Sequence, residues 1–186
     1  MISTADAANT AALCAVTTTI AAAAACVTAM FTDTLLDLQT SGEVSYDLTM
    51  AMNGALGGLV AITAGTSVVE PWAAFIIGAI GGLIYLFASK PLIKLKIDDA
   101  VDAIPVHFFN GAWGVIAAGL FAGPRLMAIS HGVTDRPGAF YGDGRLLGVY
   151  ICGVLFIIAW VVMTPSLLPS SLSVCSVLIL LRKRLA

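Results

Sequence analysis

This sequence is poor in charge. Nine Lys/Arg and eleven Asp/Glu in 186 residues make 11% charged, against about 25% in an ordinary soluble domain. The apolar fraction is 59% and the mean hydropathy +0.98, which argues against a soluble globular domain. The net charge is −2, without the basic face a nucleic-acid binder needs. Four cysteines, Cys14, Cys26, Cys152 and Cys175, include no CxxC pair and fit neither a zinc site nor a disulfide framework. No GxGxxG or GxxxxGK[ST] phosphate loop occurs, so both nucleotide fingerprints are absent. The ~10-residue alternation of a membrane β-barrel is also missing. What remains is an integral membrane protein.

Its charges are clustered. Residues 7–32, 48–69, 71–89, 103–124 and 146–181 contain no Asp, Glu, Lys or Arg. A helix needs roughly 20 residues to cross the hydrocarbon core, so four of these runs are about one span each. The fifth is broken by Pro165 and Pro169. The expected fold is all-α, with five spans at about 8–31, 48–69, 71–90, 101–122 and 145–164. An apolar and basic tail occupies 166–186. The first span is the weakest by composition: Ala21 to Ala25 are consecutive and Thr17 to Thr19 adjoin them, so it depends on neighbouring helices. No basic residue precedes it, unlike a secretory signal peptide.

Lys90, Lys94 and Lys96, with Arg182, Lys183 and Arg184, fall on one side of five spans, and Arg125, Arg136 and Arg145 on the other. The positive-inside rule then places the N-terminus outside and the C-terminus in the cytoplasm. Glycines recur four apart at Gly54 and Gly58, Gly78 and Gly82, Gly119 and Gly123, and Gly144 and Gly148. Such pairs let backbones approach within a membrane, and they are read as packing residues.

The informative segment runs from Lys94 to Ala122. Asp98, Asp99 and Asp102 are expected at a helix start, where the dipole favours carboxylates, with Asp98 and Asp102 solvated and paired with Lys94 and Lys96. Pro105 fits if the helix begins just before it. His107 follows Asp99 by eight residues, about 12 Å and 80° along an ideal helix. An imidazole at membrane depth is costly unless it lines a cavity or finds a partner. Its two nitrogens can donate, accept and exchange a proton with a passing substrate; an interhelical hydrogen bond is the competing role. His131, in the charged outer loop, reads as a surface residue, and Glu70, before Pro71, as an interfacial turn residue. No second buried acid, base or nucleophile accompanies His107, so an enzyme is not expected. A haem would need another axial His within a span, and neither cofactor nor metal is expected.

Three ordered motifs carry a family resemblance: Asn53-Gly-Ala-Leu-Gly-Gly-Leu-Val-Ala-Ile-Thr-Ala-Gly65; Glu70-Pro-Trp72 with its Ile-Ile-Gly span; and Ile97-Asp-Asp-Ala-Val-Asp-Ala-Ile-Pro-Val-His107. The match continues through Gly111-Ala-Trp-Gly114 and Gly119-Leu-Phe-Ala122. Over roughly residues 7–164 the chain resembles the ammonium transporter (Amt/Mep/Rh) family.

The resemblance implies an eleven-helix fold in two inverted halves, assembled as a homotrimer with one pore per subunit. This chain is similar to the seventh to eleventh helices only. His107 matches the second of two pore histidines, and Asp99 the aspartate two turns before it. The implied partners are ammonium or ammonia, with methylammonium as analogue, and a lipid bilayer, that of the plasma membrane. The expected function is ammonium transport by a partial transporter chain. Its alternatives are a non-transporting membrane fragment or assembly subunit, and a different small-solute channel.

Overall fold

The computed structural model describes residues 4–167. Residues 168–186, with most of the expected tail and its Arg182, Lys183 and Arg184, lie outside the described residues. Among those described, every regular element is a helix. The chain divides into two compact units, Met1–Tyr150 and Ile151–Ala186.

Helix α1, Thr4–Ser41, has 38 residues, about 57 Å at 1.5 Å per residue. It therefore extends well beyond the expected 8–31. Its alanines form a face: Ala21, Ala25 and Ala29 are fully buried at four-residue spacing. A Cβ added at Gly54 would stand 2.6 Å from the Ala29 Cβ, and one at Gly58 would stand 2.6 Å from the Ala21 carbonyl oxygen. Gly78 and Gly82 likewise sit directly on the backbone of Ala21 and Ala25. The first run is as apolar as α3, not weaker as its composition suggested, and its alanines serve contact between small residues, which replaces hydrophobic drive inside a membrane. Toward its C-terminal end, α1 is joined to the next long helix by an ion pair of 2.8 Å between Asp33 and Lys90.

Helix α2, Leu48–Thr63, is capped by Asp47, whose side chain accepts from the Thr49 N–H at 2.7 Å. It stops six residues before the end of its charge-free run, at 69. Gly65 donates to Ile62 O, and Val68 and Val69 donate to Gly65 O, so the backbone closes a turn instead. The hydroxyl of buried Thr17 lies 3.0 Å from the Thr66 carbonyl and fastens that turn to α1. Helix α3, Pro71–Lys94, begins with proline where no N–H is required.

A π-helical turn, Ile104–Phe109, leads into α4, Asn110–Phe121. Trp113 donates to the Ile77 carbonyl at 3.1 Å, and Ala117 and Phe121 enter a core with Ile62, Val69 and Ile77. The segment after α4, for which the charge pattern predicts a loop, contains a short helix, α5, Pro124–His131, closed by Gly132 at φ 68. Gly123 donates to Val68 O and Gly138 to Ala122 O, both at 2.8 Å.

Helix α6 spans Arg145–Leu167, passing Pro165 rather than ending at 164; a proline in a last turn removes few helical bonds. Its first residues approach Gly119, where an added Cβ would stand 2.9 Å from the Leu147 Cα. A Cβ at Gly144 or Gly148 would meet nothing within 4 Å, so that glycine pair makes no close contact among the described residues. The described part of the second unit is the remainder of α6, residues 151–167, where Phe156 and Trp160 stack at 6.4 Å. Among the described residues, four segments are long and apolar enough to cross a membrane: α1, α3, Ile104–Phe121 and Arg145–Thr164; α2 is shorter.

Candidate functional site

The three aspartates precede the first turn of the helix rather than lying in it. Residues 97–102 are irregular, with Lys96 at φ 55 and Asp102 at φ 53, and the π turn begins only at Ile104. The spacing of eight helical residues between Asp99 and His107 is therefore corrected: His107 lies in the first turn of its helix. Its depth comes from another source. Oδ2 of Asp102 accepts from the Tyr85 hydroxyl at 2.7 Å and from Asn53 Nδ2 at 3.1 Å. Tyr85 lies about two and a half turns before the end of α3, so the approach segment runs back along the bundle before the helix starts. Non-helical backbone at membrane depth is tolerated where protein surrounds it.

The lysine pairing expected for Asp98 and Asp102 is also corrected. Asp102 is held by Tyr85 and Asn53. Asp98 is exposed, and Lys90 of α3 pairs with Asp33. Neutral hydrogen-bond donors at a fixed distance displace flexible surface cations because Asp102 points into the bundle, where Tyr85 is 1% exposed.

The first N–H groups of a helix lack intrahelical partners, and here each is accounted for. Asp99 accepts from Ala103 N–H with Oδ1 and from Ile104 N–H with Oδ2, both at 2.8 Å. Pro105 has no N–H to satisfy, and Val106 donates to the Asp102 carbonyl at 3.0 Å. Both Asp99 oxygens are therefore directed at backbone. The structure joins Asp99 to His107 through the helix start, not by direct contact.

The π turn sorts its residues cleanly. Pro105, Val106 and Asn110 are buried, while His107, Phe108 and Phe109 are exposed on the chain's surface. The two phenylalanine rings meet edge to face at 5.1 Å. The His107 ring has no hydrogen-bond partner among the described residues, so both nitrogens stand open beside two apolar rings. Turns of this type carry one extra residue and are frequent at functional sites. A cleft of about 300 Å3, lined by Asn9, Thr10, Ser67, Glu70 and Arg125 among others, lies at α1 and α5, away from this segment. His131, at the end of α5, is exposed, with Nδ1 2.7 Å from the Ser130 hydroxyl. Glu70 occupies the turn before Pro71. Among the described residues, no three His, Cys, Asp or Glu side chains are grouped to hold a metal ion.

Asn53, Tyr85 and Asn110 are site residues that a scan for charge passed over. Their signal was available: each is a polar side chain inside an uncharged run, and a buried polar group needs a partner.

Apolar helices packed through alanine and glycine, with an irregular segment running back along them, define a multi-pass membrane protein. The family model described as Ammonium Transporter Family matches residues 2–184. Ammonium transporter 1 member 1 of Solanum lycopersicum is 43% identical over 150 residues, covering 79% of this chain and 30% of that protein. Ammonium transporter 3 of Dictyostelium discoideum is 41% identical over 123 residues, 62% of this chain and 27% of that protein. The crystal structure of Saccharomyces cerevisiae Mep2 superposes with a TM-score of 0.75 at 26% identity, covering 85% of this chain and 34% of that one. The chain belongs to the Ammonium Transporter Family, a membership that implies a non-enzymatic role. It spans about 30% of the length of the curated relatives it matches.

Proposed function

We propose that this chain forms one wall of an ammonium-conducting pore, with His107 on the path of the nitrogen. A bare cation is costly in a low-dielectric channel, whereas neutral ammonia is not. Ammonium captured on the outer side would release its proton, cross as ammonia and be reprotonated within. The open nitrogens of His107 would replace hydrogen bonds lost with water, while Phe108 and Phe109 keep the surroundings apolar. Asp99 contributes by holding the helix start that carries the imidazole. In the proposed arrangement the N-terminus is outside, the C-terminus cytoplasmic, the membrane the plasma membrane and the complete assembly a homotrimer.

One observation carries this reading and limits it: His107, Phe108 and Phe109 are exposed. In inverted-repeat transporters the substrate path lies where the repeats meet, so the imidazole needs a facing surface. This favours a second statement, that the 186-residue chain alone does not transport. The test is uptake of labelled methylammonium by cells lacking their own ammonium transporters. The chain alone is compared with the chain joined behind the preceding helices of a curated relative. Uptake is expected only in the joined form. There, His107→Ala should admit water and change ion selectivity, and His107→Phe should reduce flux while keeping the ring's volume. Saturable uptake by the chain alone would overturn the one-wall reading. A membrane-inserted fusion that takes up nothing would overturn the transport reading.

A further inference from the structure

We infer that Asn110 is the positioning residue of His107: its side chain, gripped between two glycines, holds the π turn that turns the imidazole outward. The role assigned to His107 rests on the pore reading above, but the contact itself does not.

Asn110 is fully buried. Its backbone N–H donates to the carbonyl of His107, and its Nδ2 donates to the carbonyl of Pro105 at 3.1 Å. One residue thus holds the carbonyl of His107 and the carbonyl two residues before it. A π turn inserts an extra residue and has poorer ladder geometry than an α-helix, and Pro105 lacks an N–H of its own. The Nδ2 donor adds a side-chain bond at the Pro105 carbonyl within that turn.

The slot is fitted to an amide. A Cβ on Gly57 of α2 would stand 2.8 Å from Asn110 Nδ2, and one on Gly81 of α3 would stand 3.0 Å from Oδ1. Any larger residue at either position displaces the amide. Oδ1 has no hydrogen-bond partner. A buried unpaired acceptor is destabilising, and an apolar side chain of similar size would avoid it. The amide therefore serves the turn through its Nδ2 donor rather than by filling space.

The test uses the whole chain in lipid bilayers and the carbethoxylation of its two histidines, read by mass spectrometry. His131, on α5, is the internal standard. Asn110→Leu keeps the branched outline and the number of side-chain heavy atoms and removes the donor; Gly57→Ala keeps the donor and pushes it off the Pro105 carbonyl. Each variant should retain its helical circular dichroism. Each should change the His107-to-His131 modification ratio by about fivefold, the factor corresponding to one net hydrogen bond. In the joined transporter, Asn110→Leu should lower the maximal uptake rate and leave half-saturation unchanged. An unaltered ratio in a folded variant would overturn the proposal and leave Asn110 as a space-filler. If Asn110→Leu fails to fold, the ratio in Gly57→Ala decides alone. A shifted ratio in a fusion without uptake would sustain the positioning role and remove the transport reading.

Discussion

The hydroxyl of Tyr85 donates to Oδ2 of Asp102 at 2.7 Å, tying the middle of α3 to the residue just before the helix that carries His107. Asn53 of α2 reaches both, at 3.1 Å to each. Three segments distant in sequence are clasped at one carboxylate. The φ of 53° at Asp102 lies in the left-handed region, uncommon for a residue with a Cβ. The two side-chain bonds hold the chain there, and the bend lets the approach segment run back along the bundle before the helix starts.

Loss of the clasp should be measurable. Tyr85→Phe should destabilise the protein by about 1–2 kcal/mol, between the average intramembrane hydrogen bond and one to a charged acceptor. Denaturant titration in mixed micelles gives the value. Asn53→Ala should be non-additive with it, because both partners share one carboxylate oxygen. Additive losses would show that the three groups do not act together.

The glycines should differ sharply in their tolerance of a methyl group. Gly58→Ala would place a Cβ 2.5 Å from the Ala25 Cβ and 2.6 Å from a backbone oxygen, and overpacking of this kind costs about 1–3 kcal/mol. Gly148→Ala meets nothing within 4 Å and should be neutral or stabilising by up to about 1 kcal/mol through helix propensity. The same titration ranks the two, and equal effects would contradict the close approach of α1 and α2.

Orientation can be tested by labelling. In a background without Cys14, Cys26, Cys152 and Cys175, single cysteines replace Lys94, at the end of α3, and Arg136, after α5. One crossing, Ile104–Phe121, separates the two positions. A membrane-impermeant maleimide applied to intact cells should label position 136 and spare 94 until the cells are opened. Labelling of both from outside would remove that crossing.

Much of the membrane character was legible in the residues alone, because burial in lipid imposes a long-range rule on composition. Helices must satisfy their own backbone and exclude charge, so charge-free runs mark α1, α3, α4 and α6 directly. The motifs around Asn53, Glu70 and Asp99 to His107 likewise pointed to the family that the comparisons show. Turn chemistry was less visible. Nothing in the run 48–69 announced that backbone bonds to Gly65 would end α2 at Thr63, and α5, at eight residues, is too short to show a helical period.

Which segments are apolar, where the glycines and alanines fall and that His107 interrupts an uncharged stretch all follow from residue identity. These are local properties, set by transfer energy and side-chain size. What those residues meet follows from how the helices pack. Asp102 takes Tyr85 and Asn53 rather than a lysine, Asp99 caps backbone rather than facing the imidazole, and Asn110 finds its slot between Gly57 and Gly81. Each choice depends on distances between segments far apart in the chain, and hydrogen bonds form only when donor and acceptor meet within about 3 Å. Residue type gives the capacity to bond; the packing of alanine on glycine between α1, α2 and α3 selects the partner.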